Sequence, residues 1–201
     1  MNTIINIGRS FGSGGGYVGQ AIGRKLGIPV YDNELISKVA EEKGYSKSLF
    51  QGEEKRSLFS VSSFFASGRL SHLDGGYVND NVLFQIQSEV IRSIAEAGDA
   101  VIIGRCADYI LRDLRCLDVF VCAPMEYRIK RLMEMEGLSP EDAEGLMRRK
   151  DRTRETYYNY YTFGSWGKAD NYDLCVDSSI LGIEGTADYI IDFGRKAGIV
   201  K

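Results

Sequence analysis

The sequence predicts an α/β fold in which five parallel strands form one sheet with helices on both faces, a three-layer αβα arrangement. Short apolar runs alternate along the chain with longer segments of helical periodicity, as expected where helical crossovers join parallel strands. The chain has 201 residues, of which 44% are hydrophobic and 26% charged. It is therefore long enough for a single domain with a full core.

The individual elements follow from these patterns. The apolar runs that predict buried strands cover residues 4–7, 29–31, 100–103, 117–121 and 174–176. The helical patterns cover residues 17–26, 33–43, 82–97, 124–136, 140–161 and 183–197. The helix that begins at Pro140 has the clearest start, because Ser139 can cap it and two acidic residues follow in its first turn.

Composition excludes several classes of function. A net charge of −3 gives no basic surface for nucleic acid, and no apolar run approaches the length of a membrane span. The first residues form a short strand rather than a secretory signal. The four cysteines have no C-x-x-C spacing and the only histidine is His72, so we predict reduced thiols, a cytoplasmic protein and no protein-bound metal site.

A glycine-rich loop, residues 9–17 (RSFGSGGGY), separates the first strand from the first helix. Gly14, Gly16 and Gly19 satisfy the dinucleotide fingerprint G-x-G-x-x-G, and Asp32 follows Gly14 by 18 residues, near the position of a ribose-binding acid. A dinucleotide loop, however, turns tightly after its strand. Here six residues lie between the first strand and Gly14, which suits a loop that wraps around a group.

Such a loop can surround one phosphate with successive backbone amides and the N-terminus of the following helix. We therefore favour a mononucleotide phosphate loop over a dinucleotide site or a purely structural glycine turn. The residues predicted to bind the donor phosphates are Gly12, Ser13, Gly14, Gly15, Gly16 and Tyr17.

The segment RSFGSGGGYVGQAIGRKLGIPVYDNELI resembles the cytidylate kinase-like family of P-loop kinases and, more distantly, the bacterial cytidylate kinases. Further matching segments follow in the same order: VIIGRCADYILRD, VFVCAPMEYRIKRL, RRKDRTRETYYNYYT and NYDLCVDSS. They span most of the chain, and residues 46–81 match least well. The resemblance implies a P-loop kinase fold that uses ATP and Mg²⁺, with an acceptor-binding insert at residues 46–81 and a helical lid at about residues 137–165.

The loop departs from the P-loop consensus G-x-x-x-x-G-K-[ST]. Arg9 stands at its first glycine and Gly15 stands at its lysine, which normally neutralises the β- and γ-phosphates. In the family that the chain resembles, a lysine-free loop preceded by an arginine is usual. The departure therefore indicates a subfamily, and another cation is expected to replace the lysine.

Arginines are the candidate replacements, because a guanidinium binds phosphate through two parallel hydrogen bonds and keeps its proton. Arg148 and Arg152 share a helix face at i, i+4. Such a run is often a solvated charged face, here partly paired with Glu144. The resemblance places it in or beside the lid, so we predict Arg9, Arg148, Arg152 and Arg154 as catalytic cations that offset charge on the moving phosphoryl group.

The acceptor side is less well defined. Gly104-Arg105 resembles the G-R-D of bacterial cytidylate kinases, in which the arginine holds the acceptor phosphate and the aspartate helps to read cytosine, but here Cys106 replaces that aspartate. Asp108 is either a substitute reader or a helix cap, and Asp32 is either an acceptor contact or a helix cap. The predicted acceptor-binding residues are Asp32, Arg69, Arg105 and Asp108. Arg128 and Arg131 face either solvent or the root of the lid.

These features predict a nucleoside monophosphate kinase that transfers the γ-phosphoryl group of ATP to CMP, dCMP or a related acceptor. Its partners are then small-molecule nucleotides, with neither nucleic acid nor membrane. The first alternative is a nucleotide-binding regulatory module that lost catalysis together with the lysine. The second alternative is a dinucleotide-binding oxidoreductase, which the G-x-G-x-x-G match keeps open.

Overall fold

A computed structural model describes residues 2–45 and 76–201, with residues 76–80 as backbone only. It confirms the five-stranded sheet, in which every strand pairing is parallel and the order is β2-β3-β1-β4-β5. The strands are β1 (Ile4–Arg9), β2 (Val30–Tyr31), β3 (Ala100–Ile103), β4 (Leu117–Cys122) and β5 (Leu174–Asp177).

Seven α-helices occupy the described ranges: α1 (Gly15–Leu26), α2 (Asn33–Glu42), α3 (Gly76–Ala97), α4 (Ala107–Ile110), α5 (Met125–Glu136), α6 (Pro140–Thr162) and α7 (Ser178–Lys196). Most bounds lie close to the predicted ones. Helix α3 begins six residues before the predicted position 82, inside the predicted insert, and the short helix α4 was not predicted. Gly182, with φ +65°, interrupts α7, so its regular part begins at the predicted position 183.

Two apolar layers cover the sheet. Helices α2, α3 and α4 pack on one face, where Ile36, Val90 and Ile102 are fully buried. Helices α1 and α7 pack on the other face around Ile22 and Ile190. These helices bury one apolar side each, which is the arrangement predicted from periodicity.

The strand order excludes the dinucleotide interpretation of the glycine loop. In the dinucleotide-binding fold the strand order is 3-2-1-4-5-6, so the second strand neighbours the first. Here β3 lies between β1 and β2. The polar segments after β1, β2 and β3 therefore meet at one edge of the sheet, where ligands of open α/β sheets bind.

The predicted insert lies largely outside the described residues, and so do Arg69 and His72. Among the helices of the described ranges, none combines the length and hydrophobicity needed to cross a bilayer.

Candidate active site

The loop between β1 and α1 has the backbone conformation of a tight wrap. Gly12 and Gly14 have φ values of +81° and +80°, a region in which side chains other than glycine are strained. Helix α1 begins at Gly15, and the first amides of a helix have no acceptor within the helix. Apart from its own helical turn, no atom of the described residues lies within 4 Å of the position where Gly16 would carry a Cβ. The loop therefore presents amides to open space at a helix N-terminus, as an anion site requires.

Ser13 anchors this loop rather than facing a ligand. Its side chain is fully buried, with Oγ 2.8 Å from the carbonyl oxygen of Ser10 and 3.0 Å from that of Val121. The hydroxyl also accepts a hydrogen bond from the amide of Gly15. The Ser178 hydroxyl, at the start of α7, donates to the carbonyl oxygen of Ser13 at 2.5 Å. Ser13 thus contributes its backbone to the loop and uses its side chain to fix it.

Arg9 ends β1 and crosses the site beside the loop. Gly15 lies directly against its stem, and a methyl group on Gly104 would overlap its guanidinium. Its side chain therefore passes between the start of α1 and the end of β3. Within the described ranges the Arg9 guanidinium forms no hydrogen bond or ion pair, so it is available to an anion.

Three arginines and one carboxylate converge around this point. Burial, followed by the positive charges of Arg154 and Arg105, lowers the pKa of Arg9 to about 9, and Asp32 acts in the opposite direction. Burial also lowers the pKa of Arg154. Cations that repel one another in a partly desolvated space favour a bound anion, which would restore their charge balance.

The backbone after β3 adopts an unusual conformation where it meets this cluster. Arg105 and Cys106 have φ values of +58° and +54° directly after Gly104 at +78°. Left-handed residues other than glycine are uncommon and concentrate at functional sites. This turn aims Arg105 toward the ring of Tyr157, 5.7 Å from its centroid, and the Tyr157 hydroxyl donates to Oε1 of the buried Gln87.

Asp32 follows β2 at the same edge of the sheet. Its carboxylate accepts a hydrogen bond from the amide of Leu35 at 3.1 Å and caps α2. The cap alternative is thus confirmed, and the carboxylate still lies close enough to Arg9 to affect the pKa of that guanidinium.

The structure brings only one of the predicted lid arginines to the loop. Arg154 donates to the carbonyl oxygen of Arg9 at 3.2 Å, and its guanidinium lies 5.2 Å from the ring centroid of Phe11. Arg148 is exposed and pairs with Glu144 at 2.7 Å, the pairing that the sequence suggested. Arg152 is exposed on α6 as well.

Asp151 is a further contact of the loop that the sequence did not indicate. One oxygen of its carboxylate accepts the amide of Phe11 at 2.6 Å, and the other pairs with Arg128 at 2.5 Å. Arg128 also donates to the carbonyl oxygen of Phe11 at 3.2 Å. Of the two positions left open for Arg128, the structure does not show the solvent-facing one, because its side chain is shielded against α6.

Tyr17 and Arg131 form a second unexpected pair beside the loop. The Arg131 guanidinium lies 5.0 Å from the ring centroid of Tyr17, which is exposed on the first turn of α1. It also lies 3.5 Å from the position of a Cβ on Gly14. The predicted phosphate contact of Tyr17 is therefore limited to its backbone amide, because its side chain stacks on this arginine.

The structure does not support Asp108 as a helix cap, since Cys106 takes the cap position of α4. The Asp108 carboxylate accepts a hydrogen bond from the Tyr158 hydroxyl at 2.7 Å. Burial raises the pKa of Asp108, and this hydrogen bond acts in the opposite direction. Cys106 is buried and its pKa is raised, so its thiol is neutral and cannot replace the charge of an aspartate.

Within the described segments, no group of histidine, cysteine or acidic side chains is arranged to hold a metal ion. Gly16 follows Gly15 where the P-loop consensus has serine or threonine, so this position offers no side-chain hydroxyl to magnesium, and the ring of the adjacent Tyr17 lies against Arg131. Magnesium that enters with a nucleotide would thus depend on the phosphates and on water for its ligands.

The family model of the cytidylate kinase-like family matches residues 4–180. The chain belongs to this family. The expected resemblance is therefore confirmed, and its match runs through the glycine loop, the arginine cluster and helices α5 and α6. Family membership and fold together support a P-loop kinase, a phosphotransferase that uses a nucleotide.

Individual relatives are more distant. A protein named cytidylate kinase from Methanopyrus kandleri is 22% identical over 189 residues, which cover 89% of this chain and 86% of the relative. The crystal structure of an uncharacterised protein from Eubacterium ventriosum has a TM-score of 0.70 at 28% identity, covering 94% of this chain and 96% of that one. A shikimate kinase from Bacteroides thetaiotaomicron has a TM-score of 0.57 at 13% identity, covering 97% and 99%. This last likeness shows the P-loop kinase fold alone.

Proposed function

We propose that the protein transfers the γ-phosphoryl group of ATP to a nucleoside monophosphate, with CMP and dCMP as the first acceptors to test. The observation that carries this proposal is the convergence of Arg9, Arg105 and Arg154 beside the glycine loop. Phosphoryl transfer needs alignment of donor and acceptor and positive charge around the moving group, and this site offers both.

The roles follow from the positions of the residues. The amides of the loop and of the first turn of α1 would hold the donor phosphates. Arg9, which lies where no lysine is present, would offset charge between donor and acceptor, and Arg154 would add to it from α6. Arg105 would bind the acceptor phosphate from the end of β3, with its backbone held by the strained turn.

ATP and magnesium fit the residues present to different degrees. The open space at Gly16 and the left-handed glycines suit a phosphate chain. Magnesium would supply positive charge to the β- and γ-phosphates, and the chain's own contribution would be the arginines that surround them. Because arginines would supply most of the positive charge around the phosphates, the lysine of the P-loop consensus is dispensable.

Acceptor choice rests on the family and not on a base-reading carboxylate. Cys106 is neutral and buried, and Asp108 is engaged by Tyr158. Recognition of cytosine therefore has to come from other residues of the acceptor side. Pyrimidine monophosphates stay the leading candidates because of the name of the family and of its relative.

The decisive experiment measures ADP formation from ATP and Mg²⁺ with CMP, dCMP, UMP, AMP, GMP and small non-nucleotide acceptors in parallel. We expect the highest kcat/KM with CMP or dCMP. Preference for a non-nucleotide acceptor would overturn the acceptor assignment and retain the kinase. ATP binding without turnover on any acceptor would favour the regulatory module instead.

A further inference from the structure

Helices α5 and α6 hold the stretch from Arg9 to Gly12 at several backbone atoms. Asp151 accepts the Phe11 amide, Arg128 donates to the Phe11 carbonyl oxygen, and Arg154 donates to the carbonyl oxygen of Arg9. A Cβ on Gly12 would lie 3.1 Å from the Cβ of Arg128. The first half of the loop is therefore packed against helices α5 and α6 rather than exposed.

Asp151 is the residue that joins these parts. Its two carboxylate oxygens contact different partners, the loop amide and the α5 guanidinium. The side chains of Asp151 and Arg128 are 20% and 13% exposed, so the pair is shielded from solvent and geometrically restricted. Hydrogen bonds that involve charged groups are stronger than neutral ones, and partial burial strengthens them further.

The charge of Asp151 requires an explanation at this position, because a carboxylate beside a phosphate loop repels phosphate. Pairing with Arg128 cancels that charge locally. By accepting the amide of Phe11, Asp151 fixes the direction in which the chain enters the two left-handed glycines. The amides of Ser13 and Gly15 donate within the loop, and those of Gly12, Gly14 and Gly16 can then face the donor phosphates.

We propose that Asp151 is a positioning residue that sets the phosphate-binding conformation of the loop from helix α6. This inference rests on the proposed function, since it assumes that the loop binds the phosphates of ATP. It assigns to α6 a role in ordering the donor site that is separate from supplying cations. A change in the position of α6 would thus alter donor affinity through Asp151.

The test compares ATP dissociation constants, kcat at saturating ATP and melting temperatures for three variants. D151A removes both contacts. D151N keeps an oxygen that can accept the Phe11 amide and loses the charge opposite Arg128. E155Q is the matched control, because Glu155 is exposed on the same helix and loses the same charge.

We expect D151A to weaken ATP binding roughly tenfold or more, while D151N stays within about threefold of the wild type and E155Q is unchanged. The Michaelis constant for the acceptor should stay constant in all three, which a general distortion of the active site would not produce. Amide hydrogen exchange at Phe11 should accelerate in D151A only.

The outcomes separate the two proposals. Wild-type ATP affinity in folded D151A would overturn the positioning role and leave the kinase intact. Should D151A fail to fold, D151N decides, because Asn retains an oxygen that can accept the Phe11 amide. A loss of ATP affinity of tenfold or more in D151N would then overturn the proposal. Absence of ATP binding by the wild type would overturn the proposed function, and the positioning role with it.

Discussion

Gly15 and Arg9 are packed so closely that position 15 has no room for a side chain while Arg9 keeps its place. A Cβ on Gly15 would lie 2.5 Å from the Cβ of Arg9 and 3.1 Å from that of Val121, closer than carbon atoms approach without displacement. The position that holds lysine in the P-loop consensus is therefore glycine because the Arg9 side chain passes across it. The missing lysine and the additional arginine are two parts of one arrangement.

This packing predicts that Gly15→Lys, which restores the consensus, lowers turnover instead of raising it. The new side chain would displace Arg9 from its place beside Gly104 without taking over its position. Steady-state kinetics and thermal melts measure the effect, with Gly145→Lys as the matched control. Gly145 also lies on a helix and has no atom within 4 Å of a Cβ. Faster turnover in Gly15→Lys would show that Arg9 does not replace the lysine.

Gly16 offers a direct test of where the phosphates bind. A valine there has room among the described residues, since none of them outside the same helical turn lies within 4 Å of its Cβ, but it would enter the space expected for phosphate. We predict that Gly16→Val melts close to the wild-type temperature and binds ATP at least roughly tenfold more weakly, about 1.4 kcal/mol. Calorimetric titration with ATP measures this. Unchanged affinity would place the phosphates elsewhere.

Gly14 is unsuitable for the same test, although the sequence suggests it equally. Its φ of +80° strains any other residue, and a Cβ would lie 2.5 Å from Cδ1 of Ile183. Gly14→Val should therefore lower the melting temperature whether or not phosphate binds there. The contrast between Gly14 and Gly16 arises from the packing of α7 on the loop, which local sequence does not encode.

The arginines around the loop should affect catalysis differently. We predict that Arg9→Ala and Arg154→Ala lower kcat much more than they weaken ATP binding, by up to roughly 10³-fold for a cation that acts mainly in the transition state. Arg152→Ala should lower kcat only if closure of the lid over both substrates brings Arg152 to the site. Its affinity for ATP, measured in the absence of an acceptor, should equal that of the wild type. Comparison of kcat with the ATP dissociation constant for each variant checks these effects.

An alternative explanation predicts a different pattern. If Arg9 and Arg154 only pack against the loop, alanine would lower stability through lost packing and leave turnover unaltered. Unchanged kcat in both Arg9→Ala and Arg154→Ala would therefore remove the cation cluster from the mechanism. Arg149→Ala is a suitable control, because Arg149 is exposed on the same helix.

The sequence predicted the sheet well because apolar runs and helical periodicity report burial directly. It missed helix α4, which spans only four residues and follows two left-handed residues, Arg105 and Cys106, that carry no glycine signal. Where the backbone conformation is imposed by tertiary packing, residue type gives little indication of it.

The site could be predicted only in part, for a related reason. The glycine loop is a local pattern, whereas the contact between Asp151 and Phe11 joins positions 140 residues apart. Arg148, Arg152 and Arg154 look alike in sequence, and only the rotation of α6 on α5 decides which of them reaches the loop. Spacing alone identified the arginine helix and could not choose among its members.

The last prediction concerns Asp118 on β4, whose pKa burial raises from 3.8 to about 6, against a hydrogen bond from Asn6. The folded protein therefore binds this proton more tightly than the unfolded chain does. The corresponding stability is fully present below about pH 3.8 and is lost as pH rises from there through about 6, a loss of about 3 kcal/mol at higher pH. Asp118→Asn cannot ionise, and it brings an amide donor beside Asn6, whose buried Oδ1 has no partner within the described residues. We expect the variant to be more stable than the wild type at pH 8 and close to it at about pH 3.5, below the unfolded pKa, in chemical denaturation measured at both values. The control is Asp113→Asn, at an exposed position, which should show no such difference. Equal stability of Asp118→Asn and wild type at pH 8 would mean that the Asp118 carboxylate carries its charge in the folded protein without cost.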